Sequence, residues 1–69
     1  MMITPTLRTL RERARMTQEG LAHRAGVSHA TISRLERGNT VPNTLTRKAL
    51  ARVLKVPVEA ISFPVRVSR

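Results

Sequence analysis

The chain contains no cysteine, tryptophan or tyrosine, and Phe63 is its only aromatic residue. Without cysteine there is no disulfide to staple a small fold and no thiolate to hold a metal. The two histidines, His23 and His29, stand six residues apart with no cysteine or carboxylate partner, which excludes a closed zinc site. His23 reads as a surface residue of its helix. Acidic residues are scarce, with four glutamates in all, and no pair of them is placed for acid–base work. With three glycines there is no glycine-rich phosphate loop, and the serines and threonines lack a base to activate them. The expectation is therefore a protein that is not an enzyme and uses neither cofactor nor metal. No apolar run approaches the roughly 18 residues of a membrane span.

What is present is small, aliphatic and basic. At 69 residues the chain is one domain, near the lower size limit for a self-supporting core. That core must be built from Leu, Val, Ile, Ala and Met, and so small a core often gains stability by dimerisation. Thirteen lysines and arginines, eleven of them arginine, give a net charge of +9. Such an excess calls for an anionic polymer or surface as partner. The stretch Leu7–Met16 resembles a transit peptide in being amphipathic and arginine-rich. Glu12, its own helix signals and the lack of a break before the next helix argue against that.

Helix signals punctuate the chain. Thr4-Pro5 offers a cap and a first-turn proline for a helix over about Pro5–Arg15, with Leu7, Leu10 and Ala14 as its apolar stripe. Thr17 opens a second helix, with Leu21, Ala22 and Ala25 on its apolar side, and Gly26 stops it. Gly20 inside that helix implies either a close neighbour or a helix weakened by roughly 1 kcal/mol. Ser28 caps a third helix that runs to Arg37 and ends at Gly38-Asn39. Asn43 or Thr44 opens a fourth, which carries Leu50, Val53 and Leu54 and is closed by Pro57, with one further turn at Val58–Ile61. From Phe63 the period changes to two, through Val65 and Val67, which predicts an edge strand interrupted by Pro64. A lone strand here is either a frayed tail or a strand that pairs with its copy in a second subunit.

The second and third helices, joined by a short turn containing Gly26, have helix-turn-helix geometry, in which the second member enters the major groove of DNA. At 100° per residue, Ser28, Ile32, Leu35 and Glu36 share the inner side of the third helix. Ala30, Ser33, Arg34 and Arg37 share the outer side, with His29 at its edge. An alanine can touch a thymine methyl, and an arginine can hold guanine through two bonds.

The run Thr17-Gln18-Glu19-Gly20-Leu21-Ala22, then Ala25-Gly26-Val27-Ser28, then Thr31-Ile32-Ser33-Arg34-Leu35-Glu36-Arg37-Gly38 resembles the Cro/C1-type helix-turn-helix family. That family includes lambdoid phage repressors, restriction–modification controller proteins and many antitoxins. Pro42, Thr46, Leu50-Ala51, Leu54 and Val56-Pro57 extend the likeness, which covers about residues 5–61. The resemblance implies an all-α, four- to five-helix lambda-repressor-like DNA-binding domain over residues 1–61, with residues 62–69 as a tail and dimer strand. It places Ser28, His29, Ala30, Ser33 and Arg34 at base-reading positions. Thr17, Gln18, Arg37, Asn39 and Thr40 fall at phosphate-contacting positions, a role that the exposed N–H groups of a helix start suit. Arg11 and Glu36 match a structural ion pair between the first and third helices. Three residues depart from the pattern: Gly20 replaces a glutamate or similar residue, Arg15 sits at a left-handed turn position often held by glycine or asparagine, and Arg47 replaces an apolar residue.

These readings make the chain a cytoplasmic, nucleoid-associated regulator of transcription, most simply a repressor bound as a homodimer to an inverted repeat in double-stranded DNA. The alternative is an antitoxin that binds a toxin and regulates its own operon through the same domain. A third reading is a basic protein that binds nucleic acid without sequence preference. Neither a membrane nor a small-molecule ligand is expected as partner. With Arg69 as the last residue, no sensor or peptidase domain is expected, so that regulation comes from protein level, partner binding or degradation.

Overall fold

The computed structural model describes residues 4–65, and among them the chain forms four α-helices and one 3-10 turn. The helices are α1 (Leu7–Arg13), α2 (Gln18–Ala25), α3 (His29–Arg37) and α4 (Thr44–Leu54), and the 3-10 turn is Val58–Ala60. The fold class is all-α, as the resemblance implies.

Each helix opens the same way. A short polar side chain in extended backbone accepts a hydrogen bond from the amide three residues on: Thr6 from Thr9, Thr17 from Gly20, Ser28 from Thr31 and Asn43 from Thr46. A cap of this kind contributes about 1 kcal/mol by satisfying an orphan donor. Each helix also ends the same way, with a left-handed residue and a bond reaching back five residues. Gly26 (φ 74°) and Gly38 (φ 79°) adopt that conformation without strain, whereas Arg15 (φ 60°) and Lys55 (φ 59°) carry a Cβ into it. The closing bonds are Met16 N to Arg11 O, Val27 N to Ala22 O, Asn39 N to Arg34 O and Val56 N to Ala51 O, all between 2.9 and 3.1 Å.

The interior draws on every helix. Leu7, Leu21, Ile32, Leu35 and Leu50 are fully buried, joined by Ala22, Ala51 and Ile61. A side chain such as these contributes about 1.5–3 kcal/mol when withdrawn from water. Packing α2 and α3 against this common core fixes the angle between them. Among the described residues no helix is long and apolar enough to cross a membrane.

Several sequence expectations are corrected. The first helix begins at Leu7 with Thr6 as its cap, not at Thr4-Pro5, because Pro5 is used elsewhere: its carbonyl accepts from Ser62 N at 2.8 Å. Leu7 N in turn donates to Ser62 O at 3.1 Å, which makes a parallel bridge between Thr6 and Ser62. Ser62, the residue just before the expected strand, thus has its backbone partner within its own chain. Of the expected strand, residues 63–65 form no strand, and residues 66–69 lie outside the described residues. Ala14 is exposed beyond the end of α1 rather than part of an apolar stripe, and Ser28 is exposed rather than inward-facing. Lys55, not Pro57, closes α4. At Gly20 the neighbour is the helix's own cap: a Cβ there would lie 3.1 Å from Thr17 Oγ1.

Candidate nucleic-acid interface

The turn between α2 and α3 spans Gly26, Val27 and Ser28. Half-buried Val27 packs against the core, and Gly26 supplies the positive φ that reverses the chain. This places α3 with Ile32 and Leu35 inward and His29, Ala30, Arg34 and Arg37 exposed, with Ser33 half-buried at the edge. Of the two other sequence-singled positions after α3, Asn39 is exposed and Thr40 half-buried. Thr17 is exposed at the start of α2 and Gln18 is half-buried. The hydroxyls of Thr17 and Ser28 are occupied as caps.

Cations outnumber acids on the surface, where Glu12, Glu19 and Glu59 are exposed as well. Two of the 13 cations, Arg66 and Arg69, lie outside the described residues; of the other eleven, all but Arg11 are exposed. Glu12 pairs with exposed Arg8 across one helical turn at 3.2 Å. Glu36, the one acid on α3, is turned away from solvent. Its carboxylate takes Arg11 Nε at 2.6 Å and Arg11 Nη2 at 3.1 Å, a two-pronged pair in which the side chains are 11% and 3% exposed. The hydrogen bonds to Glu36 hold the Arg11 guanidinium above its usual pKa. Arg11 Nη1 also donates to Met16 O at 2.8 Å, so the one guanidinium ties α1 to the turn before α2 and, through Glu36, to α3. The outward face of α3 consequently carries Arg34 and Arg37 with no exposed carboxylate of its own.

Two contacts could not be anticipated from spacing. Gln18 Nε2 donates to Glu36 Oε1 at 2.9 Å, and Gln18 Oε1 lies 3.0 Å from His29 Nε2. A line of polar contacts therefore runs from Met16 O through Arg11, Glu36 and Gln18 to His29. Gln18 uses one of its two amide N–H groups inward and keeps the other. A separate contact, with Phe63, accounts for the departure at Arg47. Its guanidinium lies over the Phe63 ring, 5.9 Å from the centroid, a cation–π contact that gives a charged residue an apolar partner at this position.

Comparison with known proteins agrees with this architecture. A family model described as a helix-turn-helix domain matches residues 5–62. The chain is similar to the HTH-type transcriptional repressor RghR of Bacillus subtilis (strain 168), at 47% identity over 58 residues, 83% of this chain and 43% of that protein. It is also similar to the uncharacterized HTH-type transcriptional regulator RghRB of the same strain, at 48% identity over 54 residues, 77% of this chain and 39% of that protein. The chain thus spans less than half the length of these curated relatives.

Proposed function

The chain belongs to the helix-turn-helix domain family, and on that premise we propose that it is a sequence-specific, double-stranded-DNA-binding regulator of transcription. Its subtype in this reading is Cro/C1, and its action that of a repressor bound as a homodimer to an inverted repeat. The observation that carries the proposal is the division of α3. Its aliphatic side is locked in the core, while Ala30, Arg34 and Arg37 stand in solvent and Glu36 is turned inward and paired with Arg11. A helix so divided can enter a major groove without bringing a carboxylate against phosphate.

In this reading Ser28, His29, Ala30, Ser33 and Arg34 face base edges. Thr17 and Gln18 meet a phosphate at the start of α2, where free N–H groups favour an anion. Arg37, Asn39 and Thr40 meet the backbone beyond α3. The relatives, one named a repressor, support regulation by repression. Exposed Val41 and Leu45, the latter 78% accessible, supply apolar surface of the kind self-association covers. Two copies would set their α3 helices about 34–36 Å apart on one side of the duplex.

Selection from randomised duplex DNA at about physiological salt tests the proposal. Enrichment of an inverted repeat with half-sites about one helical turn apart is the expected result. Enrichment of nothing, with binding that collapses as salt rises, would replace it with a non-specific basic binder or a protein that needs a partner to read DNA.

A further inference from the structure

Gln18 stands between a withdrawn acceptor and an exposed ring, and its amide has only one workable orientation. With Nε2 toward Glu36 Oε1 at 2.9 Å it donates to a carboxylate. Turned over, it would set its own oxygen against that carboxylate oxygen, two acceptors with no proton between them. Gln18 therefore offers His29 its oxygen, at 3.0 Å from Nε2, and an amide oxygen can only accept. His29 Nε2 must be the donor. In a neutral imidazole the other nitrogen then has no proton and is an acceptor.

We infer that the Arg11–Glu36–Gln18 chain of contacts fixes His29 as a hydrogen-bond acceptor through Nδ1, so that its partner in the major groove is a base amino group, adenine N6 or cytosine N4. The inference rests on the reading of α3 as the groove-facing helix. His29 is the first residue of α3 and is exposed, so its ring is free to meet a base edge. Each base pair shows one amino group in the major groove beside several acceptors. A histidine free to present an N–H could bond to any of those acceptors. One held with its N–H committed to Gln18 is left with the amino group. Arg34, exposed on the same helix, can only donate. The two side chains thus ask for opposite groups, which gives the recognition surface a direction along the strand. The buried pair acts here at a distance: Arg11 orients Glu36, Glu36 orients Gln18, and Gln18 decides which atom of His29 is offered. Arg11, Glu36 and Gln18 are positioning residues in this scheme.

The test uses the full chain and duplexes chosen by selection at pH 8, in the range where histidines are generally neutral. The base pair whose preference disappears in His29→Ala is located first. At that pair the amino group is replaced by hydrogen in one duplex, and purine N7 by carbon in another. Removing the amino group is expected to weaken wild-type binding about two- to tenfold, the scale of one hydrogen bond, and to add nothing in His29→Ala. Replacing N7 is expected to act equally on both proteins. In Gln18→Ala, with helix content checked by circular dichroism, the coupling between His29 and the amino group should shrink toward none. Nitrogen-15 spectra of the unbound wild-type protein should show the His29 proton on Nε2. Coupling of His29 to N7 instead, coupling untouched by Gln18→Ala, or a proton on Nδ1 would each overturn the inference. A selected motif with no His29-dependent position would overturn it while leaving sequence-specific recognition standing. Failure to select any motif would overturn both.

Discussion

Removing Arg11 should unfold much of the population, although only one side chain is lost. Arg11 makes two bonds to Glu36 and one to the Met16 carbonyl, and the Glu36 side chain is 3% exposed. In Arg11→Ala the carboxylate keeps the Gln18 amide as partner but loses its counter-charge. Breaking one side of a buried pair costs roughly 3–5 kcal/mol, against the 0–1 kcal/mol of a surface pair. For a domain of this size the total stability expected at about 0.05–0.15 kcal/mol per residue is comparable to that loss. Each kcal/mol moves the Tm of a 60–100-residue domain by about 4–8 °C, so the midpoint should fall by roughly 12–40 °C. The penalty comes from the stranded charge, so the double variant Arg11→Met, Glu36→Leu should recover most of it. Urea and thermal melts followed by circular dichroism, at low and high salt, provide the assay. Salt should change the wild-type value little, because a pair withdrawn from solvent is weakly screened. A loss below about 1 kcal/mol in Arg11→Ala would refute the reasoning and reduce the pair to an ordinary surface contact.

Other perturbations bear on the backbone and on recognition. Lys55→Gly removes a Cβ from a left-handed residue (φ 59°) and should raise stability by about 0.5–1 kcal/mol, read as a higher Tm; a lower one would show that the strain there is negligible. Gly20→Ala should stabilise α2 by up to about 1 kcal/mol, because the Thr17 hydroxyl 3.1 Å away needs to give only slightly. A fall in Tm would mean that the cap is lost instead. Arg34→Ala should cost about 1–3 kcal/mol on the selected site and relax one base position. Arg37→Ala should weaken all sequences alike and lower the salt slope by about one.

The parts of the fold legible in the sequence are those decided within a few residues. Thr17, Ser28 and Asn43 cap because an oxygen placed ahead of a helix reaches the amide three residues on. The inward phase of Ile32 and Leu35 follows from a period of 3.6. The errors share a different origin. Ser28 fails the wheel because a cap residue has extended backbone, φ −80° and ψ 156°, and is not yet on the helix. Pro5 is drawn out of α1 by Ser62, at the other end of the described chain, and no local signal reports that pairing. Lys55 closes α4 where glycine would be the signal, and Arg47 stands at an apolar position because Phe63 returns to lie beneath it. Within the candidate site the exposed face was legible. The contacts joining Gln18 to both His29 and Glu36 were not, since they cross from one helix to another.

The bridge between Thr6 and Ser62 has a mechanical consequence. The two segments run parallel, so tension applied through the chain on either side of the fold pulls them past each other lengthwise. The bonds Leu7 N to Ser62 O and Ser62 N to Pro5 O are then loaded together rather than one after the other. An antiparallel clasp at the same place would peel open from one end at lower force. Strain arriving along the polypeptide is met at this junction before it reaches the helices that carry the recognition face.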